Sequence, residues 1–311
     1  MRGNRRVAGG VVPGMTRLRG TWTAAAVTLL LLSACARTTA SGAVGDAAAP
    51  AASSNPPAKP GDALVLRVEH YGGFVGTNLR AGRIPDVSVY ADGRIITQGP
   101  QIAVYPGPAL PNLVVLQTTP ERVTELTRKA LDAGVRTGGE LGRPGVADAT
   151  TTRITMATGD AKYAVDAYAL GEAQSQDPAL TPEQNAARSK LAAFVKELTQ
   201  LPTATGMPQA QHYAASSIAV LASPFVKPGN DLPQQPGPQA WPGPALPGDY
   251  LNEGVKQGCI TVTGAEAQTV LTAAQKANTN TPWVSGEQQW RVTFRPLLPD
   301  ETGCNALRTR Q

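Results

Sequence analysis

Three short turns separate the most strand-like stretches of this sequence, and their positions limit how the strands can pair. Each turn combines glycine with an acidic residue: Asp92-Gly93, Gly159-Asp160 and Gly286-Glu287. Turns of this composition favour hairpins, whose two strands are antiparallel. Successive parallel strands need a longer crossover, which is usually a helix. The sequence therefore predicts small antiparallel sheets.

Three helix starts lie among these hairpins. Thr119 and Thr181 are each followed by proline and glutamate, which suit the N-cap, the first helical position and the positive end of the helix dipole. Thr263 and Glu266 have the spacing of a capping box. We therefore predict an α+β fold with two similar lobes, each a small antiparallel sheet with one or two packed helices.

One motif occurs twice and suggests that the two lobes are related. Tyr105 and Trp241 each precede the same six residues, Pro-Gly-Pro-Ala-Leu-Pro. A short strand and a capped helix follow both copies, as in an internal duplication of a strand-helix-hairpin unit. Chance is the alternative in a chain with 27 prolines. We expect a first lobe at 62–205, a connecting strand and proline-rich linker at 206–248, and a smaller second lobe at 249–311.

A short apolar run that ends in a cysteine marks the N-terminus as an export signal. Arg17 and Arg19 precede the run, and Leu32-Ser33-Ala34-Cys35 ends it. The run is well short of the roughly 20 apolar residues that a permanent membrane span needs. This pattern predicts a lipoprotein signal peptide at 1–34, cleaved after Ala34, and a lipid on Cys35.

The residues after the signal favour a disordered tether. Residues 35–61 consist mainly of Ala, Ser, Thr, Gly and Pro. Such a segment cannot bury enough surface to fold, and as a coil it would hold the folded part about 25–30 Å from the lipid. Two alternatives stay open upstream: Met15 is a second candidate start, and Arg5-Arg6 is a candidate twin-arginine signal that lacks the expected apolar residues after it.

The charge balance argues against a nucleic-acid partner. The chain has 28 Lys and Arg against 23 Asp and Glu, and five of the arginines but none of the acidic residues precede Cys35. Removal of the signal therefore leaves a neutral chain without a basic surface. The expected partners are the membrane, through the lipid on Cys35, and an envelope protein or cell-wall polymer. The expected location is the extracytoplasmic face of the cell membrane.

Two further cysteines, Cys259 and Cys304, remain after lipidation. Export delivers the chain to an oxidising compartment, where two thiols in one region pair with each other. We predict a Cys259–Cys304 disulfide, with two separate free thiols as the alternative. Neither cysteine has a second Cys or a His at the spacing of a zinc site.

Catalytic motifs are missing from the sequence. Neither His70 nor His212 has a second metal-type ligand near it, and there is no nucleophile elbow and no phosphate-binding loop followed by a helix at 71–76. We therefore expect no catalytic residue, no metal and no cofactor. His70, at a strand end, is the best candidate if a catalytic site assembles from distant residues. Asp148 and Asp166 lie near a hairpin and could face each other as a carboxylate pair for glycoside hydrolysis. Solvated surface groups explain these two residues equally well.

The aromatic residues that head the repeated motif are the candidate binding residues. If the lobes are related, Tyr105 and Trp241 occupy equivalent rims, and exposed aromatics on proline-rich loops suit recognition of a polymer, a peptide or a protein. The alternative is that both rings are packed under their own loops.

Several motifs together resemble a known group of proteins. They are the N-terminal Leu-Ser-Ala-Cys, the Ala-Pro tether, Tyr90–Arg94, Tyr105–Pro111 and Arg295–Glu301. With these features the chain resembles the uncharacterised secreted lipoproteins of high-GC Gram-positive (actinobacterial) bacteria over most of residues 62–304. The resemblance implies an envelope location and a fold of this type, and it implies no activity.

These observations lead to one main hypothesis and two alternatives. The main hypothesis is a non-catalytic, lipid-anchored cell-envelope protein that binds a cell-wall component or an exported protein. A solute-binding lipoprotein of a transporter would require a cleft between the lobes with convergent polar groups. An envelope hydrolase would require His70 or His212 within hydrogen-bond reach of a Ser or Asp in a pocket.

Overall fold

Two antiparallel-rich sheets, of seven and six strands, organise the computed structural model, which describes residues 60–174, 176–229 and 236–308. Helices pack on both sheets, which confirms the predicted α+β class with two lobes. The predicted signal peptide at 1–34, the cleavage site at Ala34 and the lipidated Cys35 lie outside the described residues, as does the tether up to residue 59.

The seven-stranded sheet has the order β6-β5-β1-β2-β3-β4-β7, with every neighbouring pair antiparallel. Its strands are β1 Leu64–Gly72, β2 Val87–Tyr90, β3 Arg94–Gln98, β4 Leu113–Gln117, β5 Thr150–Thr158, β6 Ala161–Tyr168 and β7 Gln211–His212. The predicted hairpins at Asp92-Gly93 and Gly159-Asp160 join β2 to β3 and β5 to β6. Gly93 has φ +88°, and a Cβ there would lie 2.2 Å from the Thr118 carbonyl oxygen, so this turn requires glycine.

The six-stranded sheet has the order β10-β11-β8-β13-β12-β9. Its strands are β8 Ser217–Pro224, β9 Gln239–Ala240, β10 Asp249–Asn252, β11 Gln257–Thr263, β12 Pro282–Ser285 and β13 Gln288–Pro296. The predicted hairpin at Gly286-Glu287 joins β12 to β13. The segment 206–248 contributes strands to both sheets. Strand β7 is an edge strand of the seven-stranded sheet, and β8 lies in the centre of the six-stranded sheet.

The helices are α1 Thr77–Arg80, α2 Pro120–Asp132, α3 Pro182–Gln200, α4 Gly264–Gln275 and α5 Cys304–Arg308. Two predicted caps are present: Thr119 accepts a hydrogen bond from Arg122 N, and Thr181 forms a capping box with Gln184. The predicted capping box between Thr263 and Glu266 is wrong. Thr263 is the last residue of β11, still extended and paired with Ser217, and its side chain does not cap α4.

Each sheet has its own apolar core. The seven-stranded sheet packs one face against α2 and α3, through side chains such as Leu126 and Phe194. The six-stranded sheet packs one face against α4, through Val270 and Ala274 among others. No helix within the described ranges is both long and apolar enough to span a membrane.

The segment Arg295–Glu301 joins the two sheets. Arg295 is fully buried, pairs with Glu301 at 2.8 Å and donates to the carbonyl oxygen of Arg83. Asp300 accepts hydrogen bonds from Arg67 and Tyr90 of the seven-stranded sheet, at 2.8 and 2.7 Å. Burial, together with the charge of Asp300, raises the pKa of Tyr90. The end of β13 and the segment that follows it therefore tie the six-stranded sheet to the seven-stranded sheet through buried and partly buried charged groups.

The Cys259–Cys304 disulfide is present, which confirms that prediction. It links β11 to α5 with a Cα–Cα distance of 6.0 Å. Thr261 Oγ1 also accepts a hydrogen bond from Cys304 N at 3.0 Å. The bridge thus holds the C-terminal helix against the edge region of the six-stranded sheet.

Candidate functional site

Exposed apolar side chains are concentrated at one end of the seven-stranded sheet. Seven large apolar residues are exposed in the described part of the chain, and five of them lie on the loops 73–86 and 99–112. We call this set the apolar end: Phe74, Leu79, Ile102, Val104 and Tyr105, with exposed fractions of 94, 51, 69, 53 and 62%. Exposed apolar surface that is concentrated in one region is typical of interaction sites, so the apolar end is the first candidate for a binding surface.

The strand register places both loops at the same end of the sheet. Val68 pairs with Val87, Val87 with Thr97, and Gln98 with Leu113. The β1–β2 and β3–β4 connections therefore leave the sheet at the same end, where the last part of β1, Glu69–Gly72, extends past β2 and pairs with β5. The chain enters the sheet at the opposite end, where Leu64 pairs with Tyr90 and Asp62 forms an ion pair with Arg94 at 2.5 Å.

Hydrogen bonds hold the base of the loop 99–112 on two sides. On the side of its own sheet, Gly99 N donates to Asn112 O and Asn112 Nδ2 donates to Pro100 O, both at 2.8 Å. On the side of the other sheet, Ala109 N donates to Ala277 O at 3.1 Å and Thr279 N donates to Gly107 O at 2.9 Å. The exposed residues 102–105 are therefore presented by an ordered base, which lowers the entropy lost when a partner binds.

The surroundings of this loop in the sequence are uncharged. Residues 95–120 contain no Asp, Glu, Lys, Arg or His. Burial of a large apolar side chain stabilises a complex by about 1.5–3 kcal/mol when no charge has to be dehydrated with it. The loop can therefore bind an apolar surface without an opposing electrostatic cost.

The structure places the two predicted rim residues in different environments. Tyr105 is exposed, and its hydroxyl accepts a hydrogen bond from Asn280 Nδ2 at 3.3 Å. Trp241 lies against Trp283 and Phe294, with ring centroids 5.6 and 6.2 Å away, and its Nε1 donates to Pro244 O at 2.6 Å. Tyr105 thus belongs to an exposed surface, whereas Trp241 is a packed part of the second core.

A groove of about 410 Å³ lies next to the apolar end, between the two sheets. Its walls are the end of the loop 99–112 with the start of β4, residues 212–215 at the end of β7 and after it, and one face of α4. The polar lining side chains are Asn112, His212, Tyr213, Gln268, Thr272 and Gln275. Burial raises the pKa of Tyr213 to about 12, so its hydroxyl stays protonated and donates to Leu297 O at 2.9 Å. We refer to this feature as the groove.

His70 lies in a separate depression of about 350 Å³ with Arg83 and Gln98. Its Nε2 contacts Asp86 Oδ2 at 2.8 Å, and its Nδ1 contacts Thr152 Oγ1 at 3.2 Å. The hydrogen bond to Asp86 raises the pKa of His70. The pair can hold and exchange a proton, but the Thr152 hydroxyl is an inaccessible nucleophile because that residue is 1% exposed.

The other candidates are separate from this depression. His212 is exposed on β7 and lines the groove. Asp166 is held by Arg153 through two hydrogen bonds of 2.8 and 2.7 Å, and the carbonyl oxygen of Asp148 accepts one from Phe74 N. In the residues that the structure describes, no three His, Cys, Asp or Glu side chains are grouped to hold a metal ion.

Tyr105 is the one residue of the apolar end that was predicted from the sequence as a binding residue. Phe74, Ile102 and Val104 were not among the candidate residues, although Ile102-Ala103-Val104-Tyr105 is an uninterrupted apolar run between prolines. Such a run does not alternate as an exposed strand does and is too short for a buried helix. An apolar run that fits neither element was the sequence signal for exposed apolar side chains in this loop.

Comparison with known proteins gives no match to a family model, to a curated protein or to a solved structure. The resemblance to secreted lipoproteins therefore stays a prediction.

Proposed function

We propose that this chain is a lipid-anchored, non-catalytic cell-envelope protein that binds an exported protein through the apolar end. The observation that carries this proposal is that, among the residues the structure describes, five of the seven exposed large apolar side chains lie on two neighbouring loops. Apolar and aromatic side chains form the centre of protein interfaces, whereas charged groups are depleted there.

The chemistry of the apolar end favours a protein over a cell-wall polymer. Ile102, Val104, Leu79 and Phe74 offer no hydrogen bond to sugar hydroxyl groups, and only Tyr105 has a polar group. A polymer rich in hydroxyl groups would lose hydration at this surface without replacement. A protein with its own exposed apolar patch gains from the same contact.

The end at which the chain enters the seven-stranded sheet agrees with a lipid-anchored binding protein. The predicted tether from Cys35 leads to the end of the sheet at Asp62, and the apolar end is at the opposite end of the same strands. Strand β1 has nine residues, which corresponds to about 30 Å. A protein moored through Cys35 would therefore be able to present these loops away from the lipid.

The binding surface can be tested in intact cells. A photo-crosslinking amino acid at Val104 of the full-length chain is expected to give a discrete adduct with one exported protein. The matched control is Val226, which is 72% exposed and lies outside the two loops. Ile102→Asp should reduce adduct formation from position 104 at least tenfold, because it buries a charge in an apolar interface. Equal adducts from both positions, or peptidoglycan as the sole adduct, would contradict the proposal.

The anchor is tested separately. Wild-type chain is expected to incorporate a labelled fatty acid, and Cys35→Ala should abolish the incorporation. Ser53→Ala, within the predicted tether, is the matched control. Label on the Cys35→Ala chain would show that the lipid is attached elsewhere or that the predicted signal is wrong.

A further inference from the structure

We infer that the groove binds an extended, uncharged segment of the same partner, which adds to the open edge of β7. This inference rests on the proposed function and names the part of the partner that is recognised. The loop 99–112 connects the two surfaces, because it carries Ile102 and Val104 near its tip and forms a wall of the groove at Pro108–Asn112.

The first wall offers main-chain hydrogen bonds. Strand β7 is the last strand of the seven-stranded sheet. Tyr213 N donates to Leu113 O at 2.9 Å, and His212 is opposite Val114. This is the pattern of a non-hydrogen-bonded pair, in which the N–H and C=O of His212 point away from β4. They are thus directed to the open edge, where an added strand would bind.

The second wall offers side-chain hydrogen bonds. Gln268, Thr272 and Gln275 follow one another along α4 at spacings of four and three residues, which puts them on one face of the helix. All three are exposed in the structure. Each glutamine amide both donates and accepts, as a peptide group does, so this wall can pair with the second edge of an extended segment.

Most of the remaining lining is apolar. Pro108, Leu110 and Pro111 contribute from the loop, and Leu271 and Pro296 contribute from the second lobe. Proline has no N–H, so the three prolines supply contact area without a backbone donor that needs a partner. A volume of about 410 Å³ lies within the usual range of ligand sites, which is roughly 300–1,000 Å³.

The absence of charge determines which segments fit. No Asp, Glu, Lys or Arg side chain is among the described residues that line the groove. A charged side chain that entered would lose its hydration without gaining an opposite charge. The segment that binds is therefore an extended peptide whose central residues are uncharged.

Selection from a displayed library of random heptapeptides tests this inference on the full mature chain. The enriched peptides are expected to lack Asp, Glu, Lys and Arg at their central positions. Thr272→Trp, which fills the groove from α4, should weaken their binding at least tenfold. Thr199→Trp on α3 is the matched control, because both threonines are exposed and donate to the carbonyl oxygen four residues earlier.

A second measurement does not depend on a variant that folds. When an enriched peptide is added to wild-type chain, the amide signal of His212 should shift and its hydrogen exchange should slow. Equal binding to the Thr272→Trp and wild-type chains, charged central residues, an unaffected His212 amide, or no enrichment would each overturn the inference. If adducts from position 104 persist in that case, only the groove inference fails. If those adducts are missing as well, the proposed function fails.

Discussion

The two copies of Pro-Gly-Pro-Ala-Leu-Pro, at 106–111 and 242–247, are identical in sequence and differ in what the fold does with them. Both contact the apolar core of the six-stranded sheet, the first through Ala109 and Leu110 and the second through Leu246. The aromatic residue before the first copy, Tyr105, is 62% exposed, whereas Trp241 before the second is packed among aromatic rings.

The difference follows from where each copy lies in the topology. The first copy is in the loop between β3 and β4 of the seven-stranded sheet, and it reaches across to the core of the other lobe. The second copy lies between β9 and β10 of the sheet whose core it completes. The first copy therefore connects the two lobes, whereas the second copy completes the core of a single lobe. A repeated sequence does not by itself imply an equivalent site.

The largest expected contrast is between the two aromatic residues. Trp241→Ala should lower the free energy of unfolding by about 3 kcal/mol, because it leaves a cavity between Trp283 and Phe294. Tyr105→Ala should lower it by less than about 1 kcal/mol, since its ring is exposed. Urea unfolding with the disulfide intact measures both values. Equal losses would mean that the two aromatics are equivalent after all.

The glycines of the two copies give a smaller and sharper contrast. A Cβ at Gly243 would lie 2.9 Å from both Trp241 Cζ2 and Val270 Cγ2, whereas at Gly107 the nearest atom would be Val104 O at 3.7 Å. Gly243→Ala should therefore destabilise by about 1–3 kcal/mol through overpacking. Gly107→Ala should change stability by less than about 0.5 kcal/mol.

Thermal unfolding of the two glycine variants provides the measurement. A Gly107→Ala chain that is as unstable as Gly243→Ala would place the first copy in an equally tight environment. The first copy, which connects the lobes, and the second copy, which completes one core, would then be equally tightly packed.

The smallest effect concerns pH near the first copy, because Pro111 shares a depression with His70 and Asp86. The hydrogen bond to Asp86 raises the pKa of His70 above its ordinary value of 6.5. The folded state therefore binds the His70 proton more tightly than the unfolded state does. The stabilisation of the fold by this proton is complete below pH 6.5 and is lost as the pH rises through the folded-state pKa. The free energy of unfolding should fall slightly over that window.

His70→Gln should remove this pH dependence, and Asp86→Asn should lower the titration midpoint of His70 in an NMR titration. Arg83 and Glu172 also act on the His70 charge, Arg83 against it and Glu172 in favour of it. An unchanged midpoint in the Asp86→Asn chain would show that the contact with Asp86 is not the cause.

Much of the local structure follows from short-range patterns. Gly93 is required by its turn, and Thr119 and Thr181 cap the helices that follow them. The pairing of Cys259 with Cys304 agrees with the prediction from their number in a chain that is expected to be exported. Thr263 shows the limit of such patterns, since it occupies the N-cap position of α4 without the side-chain hydrogen bond that its spacing with Glu266 predicts.

The candidate site was only partly predictable. The sequence left two interpretations open, in which Tyr105 and Trp241 are both on exposed rims or both packed under their loops, because nothing local distinguishes the two residues. His212 has no motif around it, and it borders the groove because β7 pairs with β4, almost 100 positions earlier in the chain. The fully buried Arg295 likewise shows no sequence signal that it would meet Arg83 between the sheets.

The sequence by itself determined the hairpins, most helix starts, the disulfide and the α+β class, because each depends on residues a few positions apart or on a count of residue types. Only the tertiary structure decided which copy of the motif is exposed, where the apolar end forms and how the groove is bounded. Those features depend on the order in which strands join a sheet. That order is set by contacts between residues far apart in the chain, and many orders are compatible with the same local pattern.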